Sequence, residues 1–141
     1  MEKMTDAEWR AFVSAGTRTG KAAVVRRDGR PHVTPIWFVL DGDDLLFNTG
    51  KDSLKGRCLR RDPRITICVD DQEPPYSFVV ISGEAELSED LDEMRRWATA
   101  IGGRYMGEDR AEAFGARNAV PGELLVRVRI GHVVAERDVA G

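Results

Sequence analysis

The sequence holds little of what usually does chemistry. Among 141 residues there are two cysteines, Cys58 and Cys68, and two histidines, His32 and His132. The cysteine spacing fits neither a C-x-x-C redox motif nor a zinc knuckle, and two are too few for a secreted disulfide scaffold, so both read as buried, reduced thiols. Each histidine stands alone in a strand-like segment without carboxylates spaced to complete a ligand set, so no metal is expected. No G-x-S-x-G elbow is present, and Ser53 has no histidine nearby in sequence, which leaves a hydrolase triad unsupported. No apolar run approaches the ~18 residues of a membrane span, and "MEKMTDAEWRAF" mixes acids with apolar residues where a signal peptide would have a continuous apolar core. A soluble cytoplasmic protein is the expectation. The net charge of -3 and pI near 5.5 argue against nucleic acid or a membrane surface as partner, since both need a broad excess of Lys and Arg.

What is present is ordinary globular material: 42% hydrophobic and 32% charged residues, with no linker, repeat or low-complexity tract. Residues 1–141 read as one domain. "TDAEWRAFV" opens with a capping box, in which the Thr5 hydroxyl accepts from the Glu8 amide while the Glu8 carboxylate reaches back; Trp9, Phe12 and Val13 then share one helix face. "KAAVVRR", a type I′ turn at Asp28-Gly29, and "RPHVTPIWFVL" predict a hairpin, which the turn "DGDD" extends to a third strand, "LLFNT". "RITICVD", "YSFVVISGEAEL" with a bulge at Gly83, and the alternating "ELLVRVRIGHVVAER" complete six strands. Two helices are predicted between these last two strands: "SEDLDEMRRWATAIGG", stopped by its glycine pair, and the shorter "EDRAEAFGARN". An α+β fold follows, mainly β, in which an antiparallel sheet curls into a small barrel with helices at its openings.

One stretch is unusual. "TGKDSLKGRCLRRDPR" places Lys51, Lys55, Arg57, Arg60, Arg61 and Arg64 in a single run of an otherwise slightly acidic chain. It is not a P-loop, because Asp52 follows Lys51 and the nearest upstream glycine, Gly42, is too distant. It reads instead as a strand end followed by a short helix with Asp52 or Ser53 as N-cap, stopped before Pro63. Exposed basic runs are usually solvated faces. Here, however, the cations sit at a strand-to-helix junction, where free amides and the helix dipole already favour an anion. Thr49 and Ser53 add hydroxyl donors, so a phosphate ester could take several charge-assisted hydrogen bonds. "GGRYMG", residues 102–107, follows a helix and lacks the strand-turn-helix geometry of a dinucleotide fingerprint.

The order and spacing of "GRPHVTPIWFVLDGDDLLFNT", "SLKGRCLRRDPRITICVDD" and "PPYSFVVISGEAEL" resemble the FMN-binding split-barrel oxidoreductases, the pyridoxamine 5'-phosphate oxidase-like superfamily. The likeness runs from about Gly20 to Asp138 and is nearest to the actinobacterial branch that uses coenzyme F420, an 8-hydroxy-5-deazaflavin with a phosphodiester and a polyglutamate tail. The resemblance implies a six-stranded antiparallel split β-barrel, a homodimer with the cofactor groove at its interface, and hydride transfer to a small electron-poor acceptor. It implies that Val33, Thr34, Pro35, Ile36 and Trp37 pass along the polar edge of the tricycle, and that Thr49, Ser53, Lys55 and Arg57, with Lys51 and Arg61, hold the phosphate. Tyr76 matches a position where an aromatic approaches the ring, although its ring could equally be core. The chain ends "GHVVAERDVAG", without the His and Arg arrangement with which vitamin B6 oxidases hold their substrate. FMN is the alternative cofactor, as oxidase or flavin reductase, and a non-enzymatic cofactor-binding protein is a third reading; neither histidine is placed as a haem ligand.

Overall fold

The computed structural model describes residues 1–141. In chain order the elements are β1 (Glu2–Lys3), α1 (Asp6–Ser14), β2 (Gly20–Val25), β3 (Pro31–Ile36), β4 (Val39–Asp41), β5 (Asp44–Gly50), α2 (Leu54–Arg61), β6 (Arg64–Asp71), β7 (Ser77–Ser88), α3 (Leu91–Met106), a 3-10 turn (Glu108–Arg110), α4 (Ala111–Asn118) and β8 (Glu123–Arg137). The strands form one antiparallel sheet in the order β3-β2-β6-β7-β8-β5-β4, with β1 on β8. Along each strand alternate residues turn inward, and Ile36 from one end of that order shares a single core cluster with Leu45 and Phe47 near the other end. Only a sheet curled on itself lets its two ends share a core, so this is a barrel. No ladder joins β3 to β4, which leaves the barrel split. Trp9 and Val13 of α1 belong to the same core, so that helix plugs one opening.

Three sequence signals work as expected. The Thr5–Glu8 capping box is formed at both hydrogen bonds. Ser53 rather than Asp52 caps α2, accepting from the Gly56 amide at 3.0 Å. The β7–β8 register shifts between Ser82 and Gly83, where a Cβ on Gly83 would collide with the Arg129 carbonyl oxygen; the bulge needs glycine because the neighbouring backbone occupies the side-chain position.

Other expectations are corrected. The count is eight strands, not six: β1 is a short addition, and the predicted strand through "VTPIWFVL" breaks into β3 and β4 at Trp37 and Phe38. Helix α3 causes the break. The Phe38 amide donates to the Tyr105 hydroxyl at 3.3 Å and its carbonyl accepts from Arg104 at 2.7 Å, so α3 side chains replace the ladder there. The glycine pair does not stop α3, which runs to Met106 with Gly107 at φ 102 as cap. Gly102 sits inside the helix because a Cβ there would press on Phe114 of α4, and the α3–α4 hairpin packs through that gap. The Asp28-Gly29 turn is not type I′: among its residues only Gly29 has positive φ, and the Gly29 amide donates to the Arg26 carbonyl, a type I turn followed by a left-handed glycine. Cys58 is buried, but Cys68 is only partly so.

Gly83→Ala is expected to destabilise the protein by about 1–3 kcal/mol, the usual cost of forcing atoms into filled space. Urea denaturation with an unchanged m-value is the check; an unaltered midpoint would show that the bulge can widen freely.

Candidate functional site

The split between β3 and the β4–β5 hairpin is where the functional residues gather. Helix α2 leaves the end of β5 tightly packed, since a Cβ on Gly56 would strike the Gly50 carbonyl oxygen. That packing directs Lys55 across the split, where its Nζ donates to Thr34 Oγ1 of β3 at 2.7 Å. Lys55 is half-buried, lies 5.9 Å over the Phe47 ring, and has no carboxylate partner. Burial pushes its pKa down. A desolvated ammonium without a counter-ion is costly, and an anionic ligand would relieve that cost.

Two concavities flank α2. On one side a groove of about 590 Å3 lies between the β2–β3 turn and α2, lined by Arg26, Arg27, Arg57, Arg60 and Arg61 against the single carboxylate of Asp28. Arg60 donates to the Lys51 carbonyl and lies 3.5 Å from Asp52, and Arg61 donates to the Val25 carbonyl at 2.7 Å. Arg26, Arg27 and Arg57 make no ion pair within the protein. On the other side a half-open pocket of about 320 Å3, the chamber, is lined by Pro35, Ile36 and Trp37, by Lys55, and by Ile101, Gly102 and Phe114 of the helical hairpin. Trp37 is held flat, stacked on Tyr105 at 5.1 Å with 2° between planes, and Tyr105 is anchored by donating to the Arg18 carbonyl. The chamber floor is polar. Asn48 of β5 and Glu123 of β8 line it, and Asn48 Nδ2 and Glu123 Oε2 are buried without a protein partner. Burial pushes the Glu123 carboxyl up.

The residues expected from sequence separate into groups. Pro35, Ile36, Trp37 and Lys55 line the chamber, Thr34 is tied to Lys55, and Arg57 and Arg61 line the groove. Val33 is 58% exposed on the free edge of β3. Thr49 is buried, its hydroxyl 3.2 Å from that of Ser53, which also donates to the Gly50 carbonyl and caps α2. Lys51 pairs with Glu89 at 3.0 Å. Tyr76, 44% exposed in the β6–β7 loop, lines neither concavity. At the far end of α2, Arg64 forks onto Asp62 and holds that carboxyl at about 2, so this cation is committed to the helix end. Arg26, Arg27, Asn48 and Glu123 were not expected from sequence. No group of three or more His, Cys, Asp or Glu is placed to hold a metal ion, and no helix is long and apolar enough to cross a membrane.

The family profile described as pyridoxamine 5'-phosphate oxidase matches residues 5–135. The chain belongs to this family. Among solved structures, a conserved hypothetical protein of Mycobacterium tuberculosis is similar over 98% of this chain and 89% of its own, at 27% identity and a TM-score of 0.84. An F420 reductase is similar over 87% of this chain and 94% of its own, at 25% identity and a TM-score of 0.70. An FAD-binding protein of Mesorhizobium loti, at 21% identity, shares the fold over 95% of this chain and 93% of its own with a TM-score of 0.66. The fold is thus the split barrel of the pyridoxamine 5'-phosphate oxidase-like superfamily, whose structures include flavin- and F420-binding proteins.

The raised Glu123 pKa sets a pH dependence within this family member. The folded state holds its proton at pH values where the unfolded chain has released it. That contribution to stability is complete below the unfolded value and is lost as pH rises through the folded one. Glu123→Gln is therefore expected to melt like the parent near pH 4 and above it at pH 7. Melting curves across this range test the point, and parallel pH profiles would remove Glu123 from the buried set.

Proposed function

We propose that the protein is an F420-dependent reductase that passes a hydride from the reduced deazaflavin to a small electron-poor organic acceptor. The observation that carries this is the arginine groove. FMN brings a single phosphate, which Lys55, Arg57 and the start of α2 would satisfy. The groove adds Arg26 and Arg27 from a separate turn, without ion-pair partners, beside that cradle. Five guanidiniums against one carboxylate suit a cofactor whose anionic part continues past its phosphate. The likeness to an F420 reductase supports the same choice.

In this reading Val33, Thr34, Pro35, Ile36 and Trp37 run along the polar edge of the tricycle. Lys55 and Arg57 hold the phosphate, helped by Lys51, Thr49, Ser53 and Arg61. The free β3 edge and exposed Val33 suit a homodimer whose groove is completed by the second subunit, and the protein works in the cytoplasm. When bound, the cofactor supplies the hydride chemistry. The chain's own residues position it, exclude water and neutralise its charge, which is consistent with a site that has no nucleophile.

Fluorescence titration of the purified protein with F420 and with FMN is the direct test. Tight FMN binding without F420 binding would overturn the reading in favour of a flavin enzyme. F420 binding without turnover across a broad panel of enones and quinones would favour a carrier. Lys55→Ala is expected to weaken cofactor binding by about 1.5–3 kcal/mol, the range for a hydrogen bond to a charged group. Unchanged affinity would make Lys55 a structural link to Thr34 alone.

A further inference from the structure

We propose that residues 108–121, the 3-10 turn and α4, form a lid that swings between Gly107 and Gly122 and uncovers the chamber while α3 stays in place. The inference holds whichever cofactor the site takes.

The two helices of the hairpin are held very differently. Helix α3 buries Met94, Ala98 and Ile101. Its Arg104 and Tyr105 side chains fasten its last turn to the backbone of Val13, Gly16, Arg18 and Phe38. Helix α4 has no such fastening. No side chain between Glu108 and Pro121 makes a hydrogen bond or an ion pair, and Arg110 and Arg117 turn back over Phe114 of their own helix at 5.4 and 5.7 Å. The backbone bonds that leave the segment belong to its two end turns, from the Arg110 amide to the Gly107 carbonyl at 3.1 Å and from the Glu123 amide to the Val120 carbonyl at 3.2 Å.

The packing of α4 is thin as well. The residues it buries fully are Ala111 and Gly115, which have little or no side chain to withdraw from water. Half-buried Phe114 lies against Gly102 and meets Trp37 at 6.0 Å between ring centroids, while Ala119 touches the small cluster of Leu46, Met94 and Leu125. A segment with few buried apolar groups opens at a lower free energy than the body it rests on. Both ends can turn. Gly107 has φ 102 and Gly122 has φ 96, a region open to glycine and strained for other residues. The Gly122 carbonyl accepts from the Lys51 amide at 2.8 Å, which fixes that pivot just past the end of β5.

The chamber supplies a force for opening. Phe114 and Asn118 of α4 line it together with Asn48 and Glu123, whose Nδ2 and Oε2 atoms are buried without a protein partner. With the lid down these two groups are deprived of water, and with the lid up they regain it. Slight apolar packing therefore holds the lid shut against the hydration of two polar groups. A guest that hydrogen-bonds Asn48 and Glu123 removes that opposition, so binding and closure are linked.

Amide hydrogen exchange of the cofactor-free protein, followed residue by residue by NMR, tests this without any ligand. The amides of Gly115, Ala116, Arg117 and Asn118 are expected to exchange together, about 10-fold or more faster than those of Ala98, Ile101 and Arg104 in α3. Asn48→Leu and Glu123→Leu, each checked for folding by its melting curve, take a polar group from beneath the lid. Each is expected to slow exchange in α4 by about 5-fold or more and to leave α3 unchanged. Gly122→Ala acts in the opposite sense: its Cβ meets nothing within 4 Å, but alanine is strained at the φ of the closed lid, so exchange in α4 should quicken by about 5-fold. Equal protection of α3 and α4 in the unmodified protein overturns the proposal without need of any variant, since the hairpin then behaves as one body. Faster exchange in α4 that ignores both leucine substitutions also overturns it, by separating the motion from the chamber.

Discussion

At Gly83 the backbone of β7 comes so close to the Arg129 carbonyl of β8 that no side chain fits between them. These are the longest strands, 12 and 15 residues, and the bulge lies within their shared ladder. Strands that long would otherwise carry the sheet onward as a twisted ribbon; a bulge bends it. The bend brings β3 and β5, far apart in strand order, around one core. Their ladder stays open, and the site occupies the opening.

An open seam must still be held. The chain does this with side chains rather than strand hydrogen bonds: Lys55 reaches Thr34 from α2, while Arg104 and Tyr105 of α3 satisfy the Phe38 backbone where the strand breaks. Arg104 also donates to the Val13 carbonyl in the last turn of α1 and to the Gly16 carbonyl just beyond it, so one guanidinium ties the plug helix, the strand break and the helical hairpin together. The arrangement has a cost, since Lys55 is desolvated without a counter-ion and Asn48 and Glu123 carry buried polar atoms without a protein partner. Residues that stabilise a fold are normally paired, so polar groups left wanting around one seam mark where a ligand is held. The same reasoning sorts the basic run. Lys51, Arg61 and Arg64 have protein partners, whereas Arg57 is without an ion pair and faces Arg26 and Arg27.

Much of this was legible in the chain wherever the determinant was local. The Thr5–Glu8 box, the Ser53 cap and the Gly83 bulge are signals completed within a few residues or by backbone crowding, and the strand alternation follows from a barrel with one wet face. Signals with two meanings failed. Gly102-Gly103 looked like a helix stop because glycine ends helices, but glycine also lets helices approach, and Phe114 decides between the two. The Trp37–Phe38 break was invisible, since its cause lies in Arg104 and Tyr105, 66 and 67 residues away.

By itself the sequence determined most of the elements, the basic junction at α2 and the kinship with the split-barrel oxidoreductases, because periodicity, caps and motif order are properties of neighbouring residues. Only the tertiary structure decided which cations are committed to protein partners, that Arg26 and Arg27 complete the groove, and that Asn48 and Glu123 are covered rather than wet. A polar residue on the outer face of a strand has the same sequence signature in either setting. Whether it meets solvent or a ligand depends on what the distant α3–α4 hairpin places over it.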